Sequence, residues 1–298
     1  MAEKKVDKKE FSESPHRVSE MRRFWRIFLQ RKIVIFGLVV FAFLIFSAAF
    51  ANIIAPFNPY VGIMEDSLQQ PSAKHWLGTD IQGRDTLTRI IYGARTVLEV
   101  GFITVAIGAL IGFALGMLAG YFGGALSAVI LRVMDAMMSF PMLILALLLA
   151  SVLGGGLQNV IIALTIASIP GNARVMNGLV LTTKQNDYIL AERAMGTSSA
   201  RIMLSHVLPN ALPPMIVLIT LQLGGIIMAE AGLSYLGIGI KPPGAAWGAM
   251  VNDGYKYLLT NPVLSFAPGI AIMLVVFAFN LLGDGLRDAL DPRLRGLL

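Results

Sequence analysis

Three histidines, His16, His75 and His206, are the first place to look for chemistry. They lie far apart, and no cysteine or ligand-spaced carboxylate accompanies them. Protein metal sites draw on clustered donors of those types, so no metal site is expected. The phosphate-cradling pattern GxxxxGK[ST] occurs nowhere in the chain, which leaves no nucleotide site of that kind. Asp284 in "LLGDG" has no second mid-span aspartate to form an acid pair. Catalytic residues and bound cofactors are therefore not expected.

A polar stretch, "DYILAERAMGTSSARIMLSHVLPN", Asp187 to Asn210, lies between long apolar runs. Asp187 can cap a helix by accepting from the free amides at its start. Tyr188, Ala191 and Met195 then share one face at i, i+3 and i+7, with Glu192 and Arg193 off it. Gly196 suits a left-handed helix stop. Thr197 or Ser198 can cap a second helix running to Leu208, where Pro209 discourages continuation. The residue types allow two readings of this helix, bend and helix: a plain linker, or a docking element for a soluble partner.

The elements that carry this stretch are apolar. Of 298 residues, 56% are hydrophobic and 14% charged, against about a quarter charged in soluble domains. The expected class is an all-α polytopic membrane protein, because lipid offers backbone amides no partners. Gaps between charges suggest six spans. These are Ile33 to about Ile54, a segment within Val97 to Tyr121, two between Asp135 and Arg174 split at "LGGGLQN", about Ala211 to Ala229, and about Pro268 to Leu282. The first is too long for a secretory signal core.

With a cytoplasmic amino terminus, 18 of the 24 lysines and arginines fall inside. That bias fits the positive-inside rule. It places both termini and the 187–210 stretch in the cytoplasm. Met21, Phe24, Trp25, Ile27 and Phe28, interleaved with Arg22, Arg23 and Arg26, suggest a tail that touches anionic lipid.

Single residues invite further expectations. Arg84, Asp85 and Arg89 would face water from an interfacial helix whose Leu87, Ile90 and Ile91 face lipid. Trp247 would anchor a loop at the interface. Arg132 and Asp135 would form a structural pair. Glu99, Glu230 and Asp284, near span ends, would reach water.

"AMGTSSARIMLSHVLPN" resembles the cytoplasmic loop signature of ABC importer permeases, with its elements at Ala191, Ala194, Gly196, Ile202, Leu208 and Pro209. The acid of that signature is displaced: aligned on Gly196, its place is held by Leu190, and Glu192 stands where an alanine is usual. "HWLGTDIQGRDTLTRIIYGART", "RVMDAMMSFPMLILAL", "EAGLSYLGIGIKPPGAAWGAMVNDG" and "FNLLGDGLRDALDPRLR" are similar to segments of dipeptide, oligopeptide and nickel importer permeases, specifically the C-type second permease.

The resemblance implies a type I ABC importer permease fold in the cell (inner) membrane. The matching segments span about Lys74 to Arg295; with the charge pattern, the expected division is a basic cytoplasmic tail over 1–32, a first span and outer loop over 33–95, and a five-span core over 96–298. The resemblance also implies partners: a homologous second permease, two ATPase subunits carrying ATP and Mg, an extracytoplasmic substrate-binding protein and membrane lipid, with no nucleic acid. The ATPase-coupling residues implied are Tyr188, Ala191, Glu192, Ala194, Met195, Gly196, Thr197 and Ser198. Peptide is the first expected cargo and nickel or another small solute the second. A stand-alone secondary transporter is the alternative class, though mid-span ionisable residues and inverted repeats are not evident.

Overall fold

The computed structural model describes residues 20–290 of the chain. Expectations resting on Lys4 to Arg17, His16 included, and on Arg293 and Arg295 lie outside the described residues. Among the described residues regular structure is helical, apart from one isolated antiparallel bridge between Thr79 and Asp85.

Helix α1 (Glu20–Gln30) leads into α2 (Lys32–Ala49) and the short α3 (Ala51–Ile54). A segment over 55–85, irregular apart from a short 3-10 helix (Met64–Asp66), precedes α4 (Thr86–Phe122). Then come α5 (Gly124–Met138), α6 (Met142–Leu153), α7 (Leu157–Thr183), α8 (Asp187–Ala194), α9 (Ser199–Ile202), α10 (Leu208–Tyr235), α11 (Trp247–Tyr255) and α12 (Val263–Leu290). Helices α2, α4, α7 and α12, and the continuous run Ser199–Tyr235, are long and apolar enough to cross a bilayer. Helices α5 and α6 are long and apolar enough only as a pair, and they meet at 88°, the geometry of a broken span or a re-entrant loop. Pro141 lacks an N–H and drives Phe140 out of helical geometry. The split expected at "LGGGLQN" falls where Gly154, Gly155 and Gly156 all adopt positive φ. Large apolar side chains cover the outside, among them Phe43, Leu110 and Val152, as lipid contact requires.

Four glycines position α4 against α7. Gly108, Gly112, Gly116 and Gly120, each four apart, lie on Ser168, Asn172, Ala173 and Val180, where an added Cβ would collide. Small residues at this spacing let membrane helices approach to backbone contact. One core joins α2, α4, α7, α10 and α12 through Leu44, Val97, Leu164, Ile227 and Phe279. A second sits at the far ends of α4 and α7, around Tyr121, Met176 and Val180. Helix α1 packs on α12 with Phe28 buried and Trp25 exposed.

Several expectations are corrected. Helix α4 starts at Thr86, with Asp85 accepting from Thr88 N at 2.8 Å, so the boundary expected between 95 and 96 falls inside an unbroken helix. Arg84, Asp85 and Arg89 are buried rather than facing water, because the 55–85 segment and the loop before α11 fold over them. Arg84 Nε donates to Asp80 Oδ2 at 2.7 Å. Arg89 donates to the carbonyls of Pro59, Pro243 and Gly244 at 3.0–3.3 Å. Trp247 is 3% exposed rather than an interfacial anchor. Its Nε1 donates to the Ile90 carbonyl at 3.0 Å, over the space left by Gly93.

Glu230 is buried in α10, where Ser234 Oγ donates to it at 2.6 Å, and does not reach water. Asp284 and Glu99 are exposed, but Glu99 lies well inside α4 and not at its end. Asp135 pairs with Arg174, not Arg132, and Arg174 belongs to α7 rather than to a loop.

Candidate functional site: a braced helix, bend and helix

The polar stretch folds as helix, bend and helix. Asn186, not Asp187, is the N-cap of α8. Its side chain makes no cap bond, and its carbonyl accepts from Ile189 N at 3.0 Å. Asp187 is therefore the first helical residue, where its charge still favours the positive end of the helix dipole.

At the other end, Gly196 adopts φ +81°. Its N–H donates to the Arg193 carbonyl and the Thr197 N–H to the Glu192 carbonyl, both at 3.0 Å. This pair of bonds is a Schellman motif, which satisfies the carbonyls a helix end leaves free. No atom lies within 4 Å of a Cβ at Gly196. Glycine is required there by the backbone angle, not by space.

The second helix corrects the expectation drawn from Pro209. Ser198 is its N-cap without a side-chain bond. The helix does not stop at Leu208. It passes through a π turn, Met203–Val207, with Leu208 N bonded to the Met203 carbonyl, and continues as α10. Proline cannot bond four residues back, and its ring crowds that carbonyl. A π turn shifts the ladder locally and keeps the helix axis running.

Two faces of the element differ. Inward, Ile189, Ile202 and Val207 are fully buried with Tyr121 of α4, Met176 and Val180 of α7, and Ala211 and Met215 of α10. Lys184 Nζ donates to the Tyr121 carbonyl at 2.9 Å, at the end of α4, and the Arg193 guanidinium sits 5.0 Å from the Tyr121 ring centroid. Outward, Tyr188, Leu190, Ala191, Ala194 and Met195 are exposed, Met195 to 72%. The face expected from Tyr188, Ala191 and Met195 exists, and it is uncovered.

Glu192 belongs to neither face. Its Oε2 accepts from Thr197 Oγ1 at 2.6 Å, and its Oε1 lies 3.5 Å from His206 Nε2. The carboxylate spans the bend and ties α8 to the π turn. Asn210 Nδ2 adds a tie to Tyr188 Oη at 3.3 Å. Ser198 is exposed at the corner. Of the eight residues expected at the site, Glu192, Gly196 and Thr197 thus build the bend, and the other five lie on its outside. Sequence reasoning missed the buried anchors Ile189, Ile202 and Val207, whose i, i+13 and i+18 spacing crosses the bend and carries no single-helix period.

A second polar cluster occupies the 55–85 segment. Lys74 Nζ donates to Asp66 Oδ2 at 2.7 Å, and this bond holds the Asp66 carboxyl below the usual carboxylate range. His75 Nδ1 lies 2.9 Å from Asp85 Oδ1. These bonds pin the segment to the start of α4 and bury the histidine.

The family model described as binding-protein-dependent transport system inner membrane component matches residues 112–296. The N-terminal TM domain of oligopeptide transport permease C matches residues 19–74. The chain is 40% identical over 278 residues to the dipeptide transport system permease protein DppC of Alkalihalophilus pseudofirmus, covering 93% of this chain and 91% of that protein. It is 42% identical over 274 residues to the glutathione transport system permease protein GsiD of Escherichia coli, covering 92% and 90%. Inward-facing structures of the MetNI methionine ABC transporter share its fold, with a TM-score of 0.58 at 22% identity over 69% of this chain and 97% of that one. The expected resemblance and fold are met: this chain is a multi-pass membrane protein and belongs to the family of inner membrane components of binding-protein-dependent transport systems.

Proposed function

We propose that this chain is one permease half of an ATP-driven importer for small peptides in the cell (inner) membrane. ATPase subunits that carry ATP and Mg dock on the exposed face of α8, and the chain itself catalyses nothing. A homologous permease supplies the other half of the path, and an extracytoplasmic binding protein delivers the cargo. The 187–210 element and both termini face the cytoplasm. Residues 1–32 form a basic tail at the lipid surface, followed by a first span with its outer segment and then by the core.

The observation that carries this reading is the asymmetry of the helix, bend and helix. Its inner side is locked to α4, α7 and α10, and its outer apolar side is bare. A push on α8 therefore reaches three spanning helices at once, because a close-packed contact moves as a unit. The Schellman bend and the Glu192 brace keep the element rigid enough to pass that motion on. Glutathione is a tripeptide, so the named cargoes of both relatives are small peptides, and peptide is the cargo assigned here.

The test is reconstitution. The chain, its partner permease and the ATPases should co-purify, and proteoliposomes should take up dipeptide only with ATP and binding protein. Recovery of this chain alone, moving solute without ATP, overturns the proposal.

A further inference from the structure

A cavity of about 400 Å³ opens at the break between α5 and α6, between those helices, α7 and α10. Its walls come from the middle of the molecule. Gln222 is near the centre of α10, and Ser168 and Gly171 are near the centre of α7. Irregular backbone at membrane depth persists where it is buried in protein or lines a cavity. Secondary transporters hold their solutes beside discontinuous helices of this kind. Here the break between α5 and α6 and the cavity coincide.

Three features of the lining bear on what fits. Met137, Met138 and Met142 supply unbranched, polarizable side chains that repack around differing apolar groups. The carbonyl oxygen of the Gln222 side chain is buried without a hydrogen-bond partner among the described residues, and so is free to accept from an N–H. Gly171 and Gly225 both border the cavity, and no atom lies within 4 Å of a Cβ at either. Lining charge is absent, so neither a free ammonium nor a carboxylate is held tightly there.

We propose that this cavity is the cargo pocket on this chain's half of the path. It takes one amino-acid side chain of a small peptide among the methionines, while the Gln222 amide accepts from the peptide main chain. The pocket rests on the peptide-importer reading above. Its volume lies within the range of small-ligand sites, roughly 300–1,000 Å³. The adaptable wall suits cargo whose side chains vary and whose main chain does not.

The experiment uses the complete importer in proteoliposomes and compares uptake of radiolabelled Ala-Ala and Phe-Phe. Every variant shares one binding protein, so differences in the ratio arise in the permease. Gly225→Leu fills the pocket from an uncrowded position. It should lower Phe-Phe uptake about tenfold and leave Ala-Ala within about twofold of the parent. Gly178→Leu, equally uncrowded but outside the lining, should leave both at parental levels. Gln222→Leu should lower both peptides alike, because they share the main chain. If Gly225→Leu fails to assemble, Met142→Ala enlarges the pocket from the opposite wall and should raise Phe-Phe relative to Ala-Ala. A parent that transports both peptides, with a ratio unchanged in Gly225→Leu or in Met142→Ala, overturns the pocket alone. A parent that transports neither peptide overturns the importer reading and the pocket with it.

Discussion

Gly196→Val isolates the bend. Gly196 sits at φ +81°, and a Cβ there would meet no atom within 4 Å, so the substitution changes backbone energetics and not packing. A left-handed conformation costs an ordinary L-residue roughly 1–2 kcal/mol, and a β-branched one up to about 3 kcal/mol. At 1.4 kcal/mol per tenfold, a cost of about 2–3 kcal/mol shifts the bent-to-unbent ratio by roughly 30- to 150-fold.

The buried anchors Ile189, Ile202 and Val207 hold each arm separately. The expected loss is therefore in the relative placement of the arms, not in insertion. Gly196→Ala should lose about 1 kcal/mol and Gly196→Asn less, since asparagine tolerates this region. The assay is ATP hydrolysis stimulated by loaded binding protein, with co-purification of the permease pair as the control. Activity should fall in the order Gly, Asn, Ala, Val while the pair stays assembled. Parental stimulation in Gly196→Val would refute the requirement for a rigid bend.

Other outcomes follow from the same geometry. Gly116→Val drives a side chain into the Ala173 carbonyl and Met176. It should destabilise the α4–α7 contact by at least about 1–3 kcal/mol, read as a lowered Tm in detergent, whereas Gly178→Val on the open side of α7 should not. Burial raises the carboxyl pKa of Asp253, in the short helix α11, above its ordinary value. A folded pKa above the unfolded one means that ionisation destabilises the fold at neutral pH and that this cost disappears below the unfolded pKa. Asp253→Asn should thus raise Tm at pH 7 and lose that advantage in acid; an equal effect at both pH values would exclude the charge as cause. Cysteines at Ser72 and Ser199, both exposed in a chain that has none of its own, test orientation. An impermeant thiol reagent outside the cell should label the first and spare the second, and the reverse would invert the topology.

The parts of the fold that were readable in the sequence depend on one residue or one run. The spans follow from uncharged length, and the Gly196 bend follows because glycine adopts φ +81° at the least cost. Contacts between distant segments leave no such mark. Arg84, Asp85 and Arg89 read as a wet face, yet carbonyls from Pro59, Pro243 and Gly244 enclose the last of them. Trp247 read as an interfacial anchor, because nothing local shows that its indole finds the Ile90 carbonyl.

Pro209 read as a stop because its effect on an α-helix is known, while the π turn that accommodates it has no composition of its own. The glycines at 108, 112, 116 and 120 were visible and carry a period of four. Each is also an ordinary residue of an apolar run, so the period does not set them apart as a contact. At the site, the displaced acid Glu192 stood out in sequence, but its role as a brace depends on Thr197 and His206 lying across the bend.

The most direct measurement concerns Met195, the C-cap residue that ends α8, whose side chain is 72% exposed. Met195→Cys introduces a single thiol into this cysteine-free chain. Derivatised with a photoactivatable crosslinker in the assembled importer, it should join this chain to an ATPase subunit, and the yield should change when ATP is added. A derivatised, transport-competent complex that gives crosslinks to lipid or to the partner permease, and none to the ATPase, would contradict docking at this face.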